Sequence, residues 1–402
     1  MTGGHHRVVP LCAKAQTALT HDISNARRFL MAQAALQPQN ACVLLSFSDG
    51  TTAQYPYIWL RDNDPEGFHP DTQERITDLS AISPDITVAD VELNDSQLLI
   101  HWEGADSATS RFDLDWLRSY VPGTRTADPA RTGFQHWRCD LGAGGIPRAT
   151  AQEILSSDLA LRTWLEQTQI YGISIVEGLA DSTEAGMDVA RRIGFLRQTN
   201  FGVTFEVKSK PNPNNLAYTP IALPLHTDLT NQELPPGFQF LHCLANEARG
   251  GGSLFCDGYA IAEDLRRDDP ESFELLSTVS VPFRFHDQDT DIRNRKKVIT
   301  LDEDGRVIEI CFNAHLADIF DLEPALMQRY YRAYRKFMIL TRSTNYLVTL
   351  KLKGGEMVVF DNRRVLHGRE AFDPQTGYRH LHGCYVDRGE FESRLRVLHR
   401  GQ

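Results

Sequence analysis

Between residues 224 and 257 the chain reads Pro224-Leu225-His226-Thr227-Asp228-Leu229, then Pro235-Pro236-Gly237-Phe238-Gln239-Phe240-Leu241-His242-Cys243, then Gly250-Gly251-Gly252-Ser253-Leu254-Phe255-Cys256-Asp257. Two short apolar runs, Phe238 to Ala245 and Ser253 to Asp257, are bounded by proline and glycine punctuation, which reads as two strands. Working outward, Ile173 to Val176 reads as another strand upstream, followed by a helix and then a loop-rich stretch as far as Pro224. Downstream, Tyr346 to Leu352 and Met357 to Phe360 flank Lys353-Gly354-Gly355-Glu356 and read as a hairpin. Helices are expected from Ala149 to Gln169, Thr183 to Ile193, Ala260 to Arg266 and Glu323 to Leu340. In the first of these Ile154, Leu155, Leu159, Leu161, Trp164 and Leu165 fall near helical spacing. Strands joined by glycine turns, with few strand–helix–strand crossovers, predict a mostly antiparallel double-layer β structure with flanking helices rather than a parallel doubly wound sheet.

The N-terminal third has a different texture. Residues 1–36 read as a polar extension with one short helix from Asn25 to Leu36. From residue 37 to 123 short β-like runs (Val43 to Phe47, Tyr55 to Leu60, Gln97 to Trp102) alternate with turn signals such as Ser48-Asp49-Gly50, giving a small β-rich domain. Residues 124–148 read as a linker or a loop lying over the second domain, which occupies 149–402. The chain has 402 residues and a formal net charge of −11. With no compensating basic stripe, that balance would repel a phosphate backbone, so nucleic acid is not an expected partner. No apolar run approaches the length of a membrane span. The seven cysteines are scattered and form no C-x-x-C pair, which fits a reducing, cytoplasmic setting.

On a strand, residues two apart face the same side, so His-x-Asp/Glu can offer an imidazole and a carboxylate to one metal ion. With 14 histidines and 53 acidic residues, about two such pairs arise by chance. Three occur. His69/Asp71 lies in a turn and His101/Glu103 on a short strand of the small domain, where turn or surface roles are the expectation. His226/Asp228 sits among the strand and turn signals quoted above. Far downstream His367 follows a strand end in Phe360-Asp361-Asn362-Arg363-Arg364-Val365-Leu366-His367, and Arg379 lies twelve residues beyond it. Two imidazoles and one carboxylate leave three positions of a metal open, an arrangement suited to Fe(II) and O2 chemistry. The cosubstrate 2-oxoglutarate would chelate such an iron and needs a fixed cation for its distal carboxylate, which an arginine fork provides. The same residues would equally serve zinc in a hydrolase, or stand as unrelated core and loop side chains.

Taken together with Leu366-His367-Gly368-Arg369, Arg379-His380-Leu381-His382-Gly383-Cys384-Tyr385 and Ser393-Arg394-Leu395-Arg396-Val397-Leu398, these motifs strongly resemble the γ-butyrobetaine dioxygenase branch of the taurine-dioxygenase-like Fe(II)/2-oxoglutarate oxygenases. Tyr57-Ile58-Trp59-Leu60-Arg61-Asp62-Asn63 resembles the small N-terminal domain of that family. The resemblance spans residues 40–398. It implies a double-stranded β-helix (jelly-roll) catalytic domain, iron held by His226, Asp228 and His367, and 2-oxoglutarate held by Arg379 with help from Ser253. It also implies O2 as cosubstrate and a homodimer. One departure is that Asp64-Pro65-Glu66-Gly67-Phe68-His69 carries no thiol where some members bind structural zinc, so loss of that metal is expected.

A trimethylammonium group has no proton to donate and is recognised by aromatic faces. The resemblance places such a cage at Phe201, Phe205, Tyr218 and Tyr385, with phenylalanine at two positions where the family often has tyrosine and tryptophan. It places carboxylate-binding amides at Asn215 and Asn313. The implied substrate is a small trimethylammonium acid: γ-butyrobetaine, its relative 2-(trimethylamino)ethylphosphonate, or trimethyllysine.

Overall fold

The computed structural model describes residues 32–104, 108–208 and 219–400, in two compact units that divide between Ala127 and Asp128. The helix expected from Asn25 therefore falls largely outside the described residues. Its last part is a strand instead, Gln33–Gln37.

The smaller unit holds two three-stranded antiparallel sheets, one of Gln33–Gln37, Cys42–Ser46 and Thr52–Pro56 and one of Val88–Leu93, Gln97–Trp102 and Thr109–Asp113. Period-two alternation buries Leu98, Ile100 and Trp102 against Val43, Leu45, Tyr55 and Phe112. The strand expected through Leu60 ends at Pro56, and Tyr57–Asp62 is a helix. Proline offers no N–H to continue the ladder, and the Tyr57 N–H is already spent on the Ala41 carbonyl at 2.8 Å.

The larger unit is built on two sheets. One has six strands in the order Arg148–Thr150, Ile173–Glu177, Met357–Asp361, Phe238–Asn246, Arg379–Val386 and Thr204–Val207, antiparallel except for the first pair. The other has four antiparallel strands in the order Leu223–His226, Val365–Arg369, Ser253–Asp257 and Val348–Leu350. Leu241, Val358, Phe360 and Leu381 of the first meet Phe255, Val348, Leu350 and Val365 of the second in one apolar core. The alternate residues Phe238, Phe240, Met357 and Val359 point outward under the helices Asp158–Tyr171, Thr183–Arg191 and Arg388–Arg400. A second helical layer, Gly258–Asp268, Pro270–Thr278 and Pro324–Thr341, packs with Leu225, Cys256 and Leu366 of the four-stranded sheet. This is the expected mostly β, jelly-roll arrangement with flanking helices.

Three local expectations are corrected. The helix read from Ala149 to Gln169 is two, Ala151–Ser156 and Asp158–Tyr171, because Ser157 adopts an extended conformation and its hydroxyl caps the second by accepting from the Ala160 N–H. Leu155 and Leu159, at the junction, are exposed. The expected hairpin around Gly354-Gly355 is not one: Val348–Leu350 pairs with Ser253–Asp257, whereas Met357–Asp361 pairs with Phe238–Asn246 and Ile173–Glu177. The glycine turn carries the chain from one sheet to the other. His367 lies in the middle of a strand, Val365–Arg369, rather than past a strand end. Among the described residues no helix is long and apolar enough to cross a membrane.

Candidate functional site

Antiparallel pairing of Leu223–His226 with Val365–Arg369 places His226 opposite His367, their rings 4.4 Å apart centre to centre. Asp228 follows two residues after His226, where the chain turns through Leu229 at φ +56°. A left-handed leucine is strained, and the turn is sewn down on both sides. The Thr227 N–H donates to the Phe312 carbonyl at 2.7 Å, and the Thr227 hydroxyl accepts from the Phe312 N–H at 3.0 Å. On the other side fully buried Asn362 accepts from the Asp228 N–H at 2.6 Å and donates to the carbonyls of Asp228 and Pro236 at 3.1 and 3.2 Å.

Ligand atoms of His226, Asp228 and His367 all lie within 4.8 Å of one another, and no other group of three His, Cys, Asp or Glu among the described residues does so. His226 Nδ1 is 2.8 Å from the Pro224 carbonyl, which can only accept, so Nδ1 donates there, and Nε2 faces Asp228 Oδ1 at 3.2 Å. His367 Nε2 is 3.7 Å from the same oxygen. Burial pushes the His367 pKa down to about 3 against the pull of Asp228, so the imidazole is neutral. Burial opposes charge on Asp228 as well, but the histidines and the Tyr385 hydroxyl hold it below the usual carboxylate range. Two imidazoles and a carboxylate converging on one point fit a divalent cation with nitrogen and oxygen ligands. The other two His-x-acid pairs do local work. His69 Nδ1 accepts from the N–H groups of Asp71 and Thr72, and His101 sits 3.0 Å from Thr109 and 3.3 Å from Glu92.

These three side chains open onto a cavity of about 330 Å³, which Arg379, Ser253, Phe201, Phe205, Asn313 and Tyr385 also line. Asn215 and Tyr218 lie outside the described residues. Arg379 is buried, and its Nε and Nη1 have no partner among the described residues. Burial lowers its pKa only to about 10, so at neutral pH it is a buried cation awaiting an anion. Gly251, at φ +69°, lets the preceding glycine turn pass the guanidinium, since a Cβ there would lie 3.2 Å from Arg379 Cδ. Phe205 stacks on Tyr385 at 5.0 Å, and its ring occupies the space above Gly383, where a Cβ would come within 2.5 Å of Cζ. Phe201 packs edge-on against Phe285 at 5.3 Å. Asn313 accepts from the N–H groups of His315 and Leu316 and donates to the Thr227 carbonyl, leaving one amide N–H.

Several cavity residues carried no signal in the sequence. Gln239 is buried, and its Oε1 has no partner among the described residues. Arg369 lies against Phe372, as Arg379 does, and donates to the carbonyls of Thr219 and Ile221. His315 stands edge-on to His226, and desolvation together with nearby His226 and Arg342 lowers its pKa to about 4. Strand register alone would have placed Gln239 on the cavity face, two residues before Leu241.

Residues 138–385 match the family model "Taurine catabolism dioxygenase TauD, TfdA family", and residues 34–118 match "Gamma-butyrobetaine hydroxylase-like, N-terminal". The chain is 39% identical to a γ-butyrobetaine dioxygenase of Pseudomonas sp. (strain AK-1), over 89% of this chain and 94% of that one. It is 32% identical to the γ-butyrobetaine dioxygenase of Homo sapiens, over 87% and 92%. It is 30% identical to the mitochondrial trimethyllysine dioxygenase of Gallus gallus, over 88% and 85%.

Proposed function

We propose that this chain, which belongs to the taurine catabolism dioxygenase TauD, TfdA family and is an Fe(II)/2-oxoglutarate-dependent dioxygenase, hydroxylates a C–H bond of γ-butyrobetaine. Family membership sets aside the zinc hydrolase that the three ligands alone allowed. The observation that carries the substrate reading is the composition of the cavity wall. Asp228 is the one carboxylate among its described residues, and the remaining wall offers aromatic faces at Phe201, Phe205 and Tyr385. Among the described residues, a permanent cation entering this cavity meets rings and no acid besides Asp228, which suits a quaternary ammonium group. The same feature speaks against trimethyllysine, whose additional primary ammonium needs acceptors. At the anionic end, the remaining Asn313 N–H and neutral His315 suit a singly charged carboxylate, while Arg284 is committed to Asp291 by two bonds of 2.9 Å. A doubly charged phosphonate would want more positive charge there.

Bound iron, with 2-oxoglutarate and O2, supplies the oxidant that turns C–H into C–OH while 2-oxoglutarate leaves as succinate and carbon dioxide. In this reading His226, Asp228 and His367 hold the iron, and the Pro224 carbonyl keeps the His226 lone pair turned toward it. Arg379 takes the distal carboxylate of 2-oxoglutarate, with Ser253 beside it. The rings and the amide hold the two ends of the substrate, so one carbon faces the metal. Leu223, Leu229, Leu241 and Leu381 complete the wall and keep water out. Oxygen uptake with Fe(II) and 2-oxoglutarate should be fastest with γ-butyrobetaine, with hydroxylated product formed one-for-one with succinate. A higher kcat/KM for trimethyllysine or for 2-(trimethylamino)ethylphosphonate would overturn the substrate assignment.

A further inference from the structure

The two oxygens of Asp228 have different partners. Oδ1 faces both imidazoles, 3.2 Å from His226 Nε2 and 3.7 Å from His367 Nε2. Oδ2 accepts a hydrogen bond of 2.7 Å from the Tyr385 hydroxyl. Tyr385 stands in the strand Arg379–Val386, paired with Gln239, and only 4% of it is exposed. Its ring is stacked on Phe205 at 5.0 Å, so the phenol has little freedom to swing away.

We infer that Tyr385 is a positioning residue for the iron carboxylate, with its hydroxyl holding Asp228 as a one-oxygen ligand while its ring forms part of the substrate wall. The inference rests on the reading of His226, Asp228 and His367 as iron ligands. A carboxylate can grip a metal with one oxygen or with both. Gripping with both would fill a coordination position that the keto acid and O2 require. With Oδ2 engaged by the phenol, only Oδ1 is available on the side of the imidazoles. Outer partners of this kind fix the direction of a ligand, and their loss typically lowers metal affinity or activity about 10–100-fold. One side chain thus serves two ends of the site, and the two services can be separated chemically. Tyr385→Phe removes the hydroxyl and keeps the ring, whereas Tyr385→Leu removes both.

The test is anaerobic titration of the metal-free protein with Fe(II) in the presence of 2-oxoglutarate, followed by the visible absorption of the chelate. Steady-state kinetics at saturating iron accompany it. For Tyr385→Phe the Fe(II) Kd should rise about 10–100-fold, and succinate should form in excess of hydroxylated product, with the KM for γ-butyrobetaine within about twofold of the parent. Tyr385→Leu should show the same rise in Fe(II) Kd together with a higher KM. An Fe(II) Kd for Tyr385→Phe equal to that of the parent overturns the inference, provided Asp228→Ala weakens Fe(II) in the same titration. If Asp228→Ala leaves the Kd unchanged too, the ligand assignment falls and takes this inference with it.

Discussion

Replacing Asn362 with alanine should loosen the iron site without touching a ligand. Asn362 is fully buried and makes three hydrogen bonds: from the Asp228 N–H at 2.6 Å, and to the carbonyls of Asp228 and Pro236 at 3.1 and 3.2 Å. Alanine leaves one N–H and two carbonyls facing a space from which water is excluded. Each stranded group costs about 1–3 kcal/mol. Because the three share one side chain, the costs are less than additive, giving about 3–4 kcal/mol in all. For a body of this size that corresponds to a fall of about 6–12 °C in the thermal midpoint. The functional consequence follows from Leu229, whose φ of +56° is a conformation the surrounding bonds impose. Released on one side, the turn relaxes and Asp228 Oδ1 moves away from the imidazoles, so metal affinity falls with stability. Asn362→Asp sharpens the test: it keeps the volume and the acceptor for the Asp228 N–H but sets a buried carboxylate against two carbonyl oxygens, and should cost at least as much. Differential scanning of metal-free and Mn(II)-loaded protein reads both effects, since bound metal raises the midpoint with the logarithm of its affinity. A metal-free midpoint within 2 °C of the parent (about one kcal/mol), with an unchanged rise on adding Mn(II), would refute the account of the turn.

Arg379→Gln removes a buried cation whose Nε and Nη1 have no partner among the described residues. A lost charge-assisted contact of about 1.5–3 kcal/mol should raise the KM for 2-oxoglutarate about ten- to hundredfold, with little change in the KM for γ-butyrobetaine; initial rates with each substrate varied decide it. Gly383→Ala puts a methyl group within 2.5 Å of the Phe205 ring and must displace it, and Phe205→Ala deletes the face altogether. Both should raise the KM for the trimethylammonium substrate far more than that for 2-oxoglutarate, and equal effects on the two would remove the cation–π argument. His242 is buried with both ring nitrogens unpartnered among the described residues, and burial, aided by nearby His382, lowers its pKa to about 4. The unfolded chain binds that proton near pH 6.5, so stability is full above that pH and falls by about 1.4 kcal/mol per unit as pH drops toward 4. His242→Leu should leave the midpoint nearly unchanged at pH 7 and lose about 2 kcal/mol less between pH 7 and 5. An identical acid slope in the two proteins would show that the imidazole is protonated in the fold.

The candidate metal group was legible in the sequence because much of its information is local. His226 and Asp228 sit two residues apart, and proline and glycine turns mark the strands around them. His367 and Arg379 could be joined to them through motif order, although His367 was read past a strand end rather than within a strand. The contacts that hold Asp228 were not legible, even though Tyr385 is expected as a cage residue, because each is made across a long stretch of chain. Asn362 reaches Asp228 across 134 residues and Tyr385 across 157. Nothing in Asn362's neighbourhood distinguishes an asparagine that sutures another loop from one that faces water. The misread hairpin has the same cause. Val348–Leu350 and Met357–Asp361 look like partners because they are adjacent in sequence, yet each finds its neighbours in a different sheet. Strand propensity tells that a segment will pair, whereas which segment it pairs with depends on the buried faces of the whole unit. In a two-sheet oxygenase that choice also determines function. The pairing that sends Met357–Asp361 into one sheet and Val365–Arg369 into the other places the intervening Asn362 under Asp228 and His367 opposite His226.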